Sequence, residues 1–181
     1  MKIFFDTEFT DLLGIEHTPA LISIGLAAEK AAEGTDTFYA ELTDTWTPEI
    51  CSDFVLEAVL PELTGGDARM TEAEAANQLK AWIEAFQQPV QLYSDAPSFD
   101  WPFVEDLFDR HGWPENLVRK CAWIETDDFA MYEAIEAFWT RERGSVRHHA
   151  LWDALSLRIG WRAISGDSFA VPDATDCNEK G

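Results

Sequence analysis

The stretch that most constrains this chain is Ile3-Phe4-Phe5-Asp6-Thr7-Glu8-Phe9. A short run rich in aromatic and β-branched residues is the signature of a buried strand. Side chains alternate in direction along a strand, so Asp6 and Glu8 emerge on the same face, one pleat apart. Two like charges side by side in a low-dielectric setting are costly unless a cation or hydrogen bonds neutralise them. A divalent metal does this most directly. The other reading ends the strand at Phe5 and leaves both acids in a polar loop.

The 181 residues suit one α/β or α+β domain, and 46% hydrophobic with 13% aromatic residues supply a sizeable core. Net charge is −21, from 34 acids against 13 bases. That composition is poor for gripping a long duplex, whose binding depends on neutralising many phosphates. It still allows a few nucleotides to be held at one metal-loaded end, where bound cations supply the positive charge. Cys51, Cys121 and Cys177 are odd in number and far apart, which points to a reducing compartment and away from a disulfide framework or zinc site. The first residues do not read as a signal peptide. No apolar run approaches the ~20 residues of a membrane span. The expectation is a soluble, cytoplasmic protein with no membrane partner.

Along the chain, Thr10 to Pro19 reads as a polar loop containing Gly14. Leu21 to Leu26 reads as a second, buried strand, Glu33-Gly34-Thr35-Asp36 as a turn, and Thr37 to Leu42 as a third strand. Short turns between them imply an antiparallel meander. A short helix is expected from Ser52 to Leu63, and a second opened by the capping box Thr71-Glu72-Ala73-Glu74. Val90 to Tyr93 reads as a fourth strand. A helix opens at Ser98-Phe99-Asp100-Trp101-Pro102 with the proline in its first turn, and Leu117 to Ile124 reads as a fifth strand. Helices follow from Asp127 to Glu142 and, after Gly144, from Ala150 to Ile164. The pattern predicts one domain over 1–165 and a loose tail over 166–181. A mixed five-stranded sheet with helices packed on it is the resulting fold class.

Two further stretches carry chemistry. Asp100 lies at a helix start, where it is either an ordinary first-turn aspartate favoured by the helix dipole or a ligand. Asp95 sits at a strand end and reads more simply as a loop acid. In Arg147-His148-His149-Ala150-Leu151-Trp152-Asp153, Asp153 lies among apolar helical neighbours and His148 at the helix entry. Asp6, Glu8, Asp100 and Asp153 together form an inventory suited to two hard cations, whose preferred ligands are carboxylate and water oxygens. His148 adds a base titrating near neutrality. From Arg141 to Arg162 there are five arginines against two acids, which is either a phosphate-facing surface or an ordinary helix face.

Asp-Thr-Glu in a first strand, Phe-Asp-x-x-Phe in the middle and His-x-Ala-x-x-Asp near the end resemble the three motifs of the DEDDh 3′-5′ exonucleases. The likeness is greatest to small bacterial and phage exoribonuclease-like proteins, with oligoribonuclease and ribonuclease T more distant. It covers residues 3 to about 164. The resemblance implies a ribonuclease H-like fold, in keeping with the β-β-β-α order. It implies that Asp6, Glu8, Asp100 and Asp153 bind two Mg²⁺ or Mn²⁺ ions, and that His148 is the general base. The His-x-Ala-x-x-Asp spacing selects His148 over His149. Many relatives carry an Asn shortly before the middle Asp, where this chain has Asp95-Ala96-Pro97-Ser98.

The function expected on this basis is release of nucleoside 5′-monophosphates from single-stranded 3′ ends, RNA in preference to DNA. Thr7, Phe9, Leu12, Trp101 and Arg147 flank the motifs as candidate substrate contacts, Phe9, Leu12 and Trp101 by stacking or wedging beside terminal bases. The alternatives are a DNA exonuclease of the same chemistry and a catalytically silent nucleic-acid-binding or interaction module. A homodimer is a weaker expectation, since two-fold assemblies are the commonest.

Overall fold

In the computed structural model, which describes residues 1–12, 18–30, 36–142 and 147–165, the N-terminal run is strand β1 (Lys2–Phe9) at the centre of a mixed sheet. β2 (Leu21–Ala28) lies antiparallel to it and β3 (Thr37–Leu42) antiparallel to β2, as the meander predicted. On the other side β5 (Gln91–Ser94) runs parallel to β1, and β6 (Ala122–Trp123) parallel to β5. A sixth strand, β4 (Arg69–Met70), pairs parallel with β3 and gives the order β4-β3-β2-β1-β5-β6. Two residues are too short to show a period, which is why the sequence predicted five strands. Gly14, the 33–35 part of the turn, Gly144 and the 166–181 tail lie outside the described residues.

Four helices complete the fold: α1 (Glu72–Glu84), α2 (Pro97–His111), α3 (Phe129–Glu142) and α4 (Ala150–Ser165). Thr71 and Glu74 cap α1 reciprocally, as their spacing required. Three expectations change. The helix expected from Ser52 is a π-helical turn at Val55–Val59 followed by a 3-10 turn at Leu60–Glu62. Pro61 lacks a donor and crowds the preceding turn, so a regular helix cannot form. α2 begins at Pro97, which leaves Pro102 inside it. Leu117 to Ile124 is interrupted where Lys120 N–H bonds back to the Val118 carbonyl at 2.8 Å, so that Leu117 makes an isolated parallel bridge to Val90 and Ala122–Trp123 forms the strand. Among the described residues no helix is long and apolar enough to cross a membrane.

Alternation along β1 decides what lies on each face. Ile3 and Phe5 pack with Leu79 and Ile83 of α1 and with Val104, Leu107 and Phe108 of α2. Phe4 packs on the opposite face with Met131 of α3 and Leu157 of α4. Asp6 and Glu8 continue the Phe4 row and therefore face α4, whereas Thr7 follows Phe5. β5 pairs with β1 only from Lys2 to Phe4. Beyond that register the acids project into a crevice at the carboxyl ends of two parallel strands, the usual ligand position in an open α/β sheet.

Gly25 brings α4 onto this crevice. It stands opposite Asp6 in the β1–β2 register. A Cβ added there would lie 2.2 Å from Leu151 N and 2.3 Å from the Ala150 carbonyl carbon. The first turn of α4 thus rests with its backbone directly on β2, and Ala150 is fully buried beneath it. Overpacking a core site costs about 1–3 kcal/mol, occasionally more, and backbone cannot swing aside as a side chain does. Gly25→Ala should therefore lose about 3 kcal/mol in urea unfolding. A loss below about 0.5 kcal/mol, the ordinary surface range, would mean that α4 lifts off the sheet freely.

Candidate active site

Asp6 belongs to two carboxylate groups at once. With Glu8 and Asp153 it forms one set of three ligand oxygens within 4.8 Å of one another, and with Asp95 and Asp100 a second set of three within the same limit. Either set suits a hard cation, and their sharing of Asp6 would bridge two such ions. The five acids come from four parts of the fold: Asp6 and Glu8 from β1, Asp95 just after β5, Asp100 from α2, Asp153 from the first turn of α4. Asp95, read from the sequence as a loop acid, joins the second set because β5 ends beside β1.

Asp100 is 2% exposed and lies in the first turn of α2, whose N-cap is Ala96 and carries no side-chain cap. Its Oδ1 accepts the Thr7 hydroxyl at 2.7 Å and its Oδ2 the Ser94 hydroxyl at 2.5 Å. Thr7, expected to contact substrate, thus donates its hydroxyl to a carboxylate. Asp153 Oδ2 accepts the His149 backbone N–H at 3.0 Å.

Desolvation and mutual repulsion both act on these acids. Burial first, then Asp100, Asp153 and Glu8, push the Asp6 carboxyl well above the ordinary range. Burial and the charges of Asp153 and Asp100 raise Glu8 to about 8. Burial raises Asp100 to about 6 against the opposing hydrogen bonds of Ser94 and Thr7. It raises Asp153 to about 6 against the His149 N–H. A bound cation would relieve both the desolvation and the repulsion in such a cluster, which could therefore hold a metal ion. His148 moves the other way: burial and the adjacent Arg147 charge lower its pKa, so its imidazole is neutral at pH 7.

A groove of ≈690 Å³ runs over the acids and contains His148. His148 has φ +68° and meets the Phe54 ring edge-on at 4.9 Å. Phe9 and Leu12 line the groove, with Phe9 stacked on Phe103 at 4.9 Å. Trp101 does not. It turns into the core against Trp113, ring centroids 5.9 Å apart, because it lies two residues and about 200° around α2 from Phe99. The exposed Phe99 and Phe54 line the groove instead. Both were missed, although exposed aromatics beside Asp100 and off the Val55–Val59 stripe were the available signal.

Arg147 lines a smaller cleft of ≈210 Å³ on the far side of Asp6, Asp95 and Asp153. Its guanidinium pairs with Glu136 and lies 5.3 Å over the Trp139 ring. The arginines expected to form a phosphate-facing surface are engaged elsewhere. Arg158 bonds the Ala28 carbonyl and Asp36, Arg162 the Glu29 carbonyl, and Arg141 pairs with Glu142. Arg143 lies outside the described residues.

The model of the family described as the 3′-5′ exoribonuclease Rv2179c-like domain matches residues 1–165. No curated protein matches the chain in sequence. Among solved structures the chain is similar to S. pombe Pop2p in its Mg²⁺- and Mn²⁺-bound form, with TM-score 0.60, 16% identity, and coverage of 92% of this chain and 84% of that one. It is similar to the zinc-bound E. coli exonuclease I–single-stranded DNA complex, with TM-score 0.53, 13% identity and 92% coverage, spanning only 40% of that enzyme. A chain of the yeast NOT1 MIF4G domain co-crystallized with CAF1 matches at TM-score 0.53 and 13% identity, over 91% of this chain and 79% of that one. At such identities the likeness is one of fold, the ribonuclease H-like fold of these nucleases.

The raised carboxyl pKa values predict how the metal-free protein responds to pH. A group whose pKa is higher folded than unfolded stabilises the fold when protonated, and that contribution is lost as pH rises through the folded value. Between pH 5.5 and 8.5 the Asp100, Asp153 and Glu8 carboxyls ionise, and chelator-treated protein should lose on the order of 1–3 kcal/mol. Saturating Mg²⁺ should flatten the dependence, and Asp6→Asn should flatten it without metal. Thermal melts across this range check the expectation. An unchanged slope in Asp6→Asn would show that the cluster is not its source.

Proposed function

Since the chain belongs to the 3′-5′ exoribonuclease Rv2179c-like domain family, a 3′-5′ exonuclease family of ribonuclease H-like fold, we propose that it hydrolyses single-stranded RNA from the 3′ end to nucleoside 5′-monophosphates. The observation that carries this reading is the pair of carboxylate sets sharing Asp6 within a groove that also holds His148. The Mg²⁺ and Mn²⁺ bound by Pop2p support these ions as the cofactors.

Asp6, Glu8 and Asp153 would hold one ion, and Asp6, Asp95 and Asp100 the other. Two such ions, when bound, supply the positive charge that favours water attack and departure of the 3′-oxygen. Thr7 and Ser94 keep the Asp100 carboxylate oriented toward the shared centre. His148, neutral at pH 7, accepts the proton of the attacking water at an imidazole nitrogen. Phe54, Phe99, Leu12 and Phe9 wall the groove with apolar and aromatic surface on which a terminal base stacks without regard to sequence. The groove has little cationic surface of its own, so the ions account for most of the attraction for phosphate.

End-labelled RNA and its DNA counterpart, incubated with and without Mg²⁺, test this. Mononucleotide release from RNA, absent without metal, is expected. Faster release from DNA would make the chain a deoxyribonuclease of the same chemistry. Asp153→Asn should abolish turnover, and His148→Ala should lose ~10²–10⁴-fold in rate with metal binding kept, the usual span for a general base. Single-strand affinity falls with salt by a log–log slope of about −0.7 per phosphate neutralised. A footprint of about two to four phosphates therefore gives a slope no steeper than roughly −3. Circular RNA should survive, and its rapid cutting would indicate an endonuclease.

A further inference from the structure

His148 adopts a backbone conformation that residues with a Cβ hold only where their surroundings impose it. Both its neighbours are fastened. Arg147 is paired with Glu136 of α3 and laid over Trp139. His149 is 4% exposed and held from three directions. Its backbone N–H donates to Asp153 Oδ2 at 3.0 Å, its Nε2 shares a hydrogen bond with Thr64 Oγ1 at 3.0 Å, and its ring stacks on Tyr39 with centroids 4.4 Å apart.

Behind these contacts stands Glu41, 3% exposed. Its Oε1 accepts the Tyr39 hydroxyl at 2.9 Å and the Thr64 backbone N–H at 2.5 Å, and its Oε2 the Gly65 N–H at 3.0 Å. One carboxylate thus fixes both partners of the His149 ring. The strand registers explain the arrangement. Asp6 stands opposite Gly25 and Gly25 opposite Tyr39, while Glu8 stands opposite Ser23 and Ser23 opposite Glu41. The acids of β1 therefore stand in two rows that cross β2 to reach Tyr39 and Glu41 on β3.

We infer that Glu41, Tyr39, Thr64 and His149 are positioning residues for the exonuclease reaction. They anchor residue 149 so that His148 is held in its left-handed conformation over the groove. The inference rests on the reading of His148 as proton acceptor. A buried ring serving only to fill space would need shape alone, whereas this one is oriented by a hydroxyl whose own backbone is pinned by a buried carboxylate.

The test is Thr64→Val, which deletes the hydroxyl and keeps the N–H bonded to Glu41. With single-stranded RNA and saturating Mg²⁺, kcat should fall about tenfold while KM and the Mg²⁺ half-saturation stay put. Melting should move by no more than about 2 °C, and Thr64→Ser should restore kcat. In a His148→Ala background, assayed by single turnover, Thr64→Val should have no further effect. Wild-type kcat in Thr64→Val overturns the inference. So does an equal loss with and without His148, which would place the effect on Asp153 or the fold. Wild-type kcat in His148→Ala overturns the reading of the base, and the inference with it.

Discussion

Five carboxylates gather where β1 outruns β5, and their desolvation and mutual repulsion set the terms for the rest of the structure. For Asp6 burial is the largest effect and four neighbouring acids add to it. Donors offset part of this: Thr7 and Ser94 at Asp100, and the N–H of His149 at Asp153. Their incomplete compensation is what leaves the cluster in need of cations. The surrounding elements must therefore hold the acids together against their own repulsion. The central position of β1, the fully buried Phe4 and Phe5 beside the motif, and the backbone contact of α4 with Gly25 meet that demand. Strain of this kind is the recurrent cost of a site prepared for its ligand.

That rigidity also explains the spacing of the last motif. His148 and Asp153 bracket Ala150, whose side chain is buried where the first turn of α4 meets the sheet. The backbone at Ala150 and Leu151 and the glycine on β2 are two halves of one contact. Both are needed before the acid on α4 can reach the acids on β1.

How much of this is legible in the sequence follows from the range of each interaction. Alternation along a strand is local, so Asp6 and Glu8 could be placed on one face from seven residues. The capping box of α1 is equally local. Asp95 could be recruited only by knowing that β5 lies beside β1, a pairing that spans about half of the chain. Phe99 and Trp101 differ by two positions, and the helix turns one into the groove and the other into the core. Without the helix phase, their composition does not separate them. The run of arginines misled for a related reason. Counting charges along α4 does not reveal that Arg158 and Arg162 reach back to the end of β2.

The use of those arginines bears on how so acidic a chain can handle a polyanion. With a net charge of −21, a long basic track would have to overcome repulsion over its whole length. This fold instead uses Arg158 and Arg162 to tie α4 to β2 and concentrates negative charge at a single point. Under the proposed function, divalent ions held there would reverse the local field where a phosphate sits. Exposed aromatics beside that point contribute stacking, which does not depend on charge. At that net charge, repulsion of a polyanion would grow with every additional phosphate beyond such a centre. Under the proposed function, the acidity that destabilises the metal-free cluster would also confine productive binding to the end of a strand.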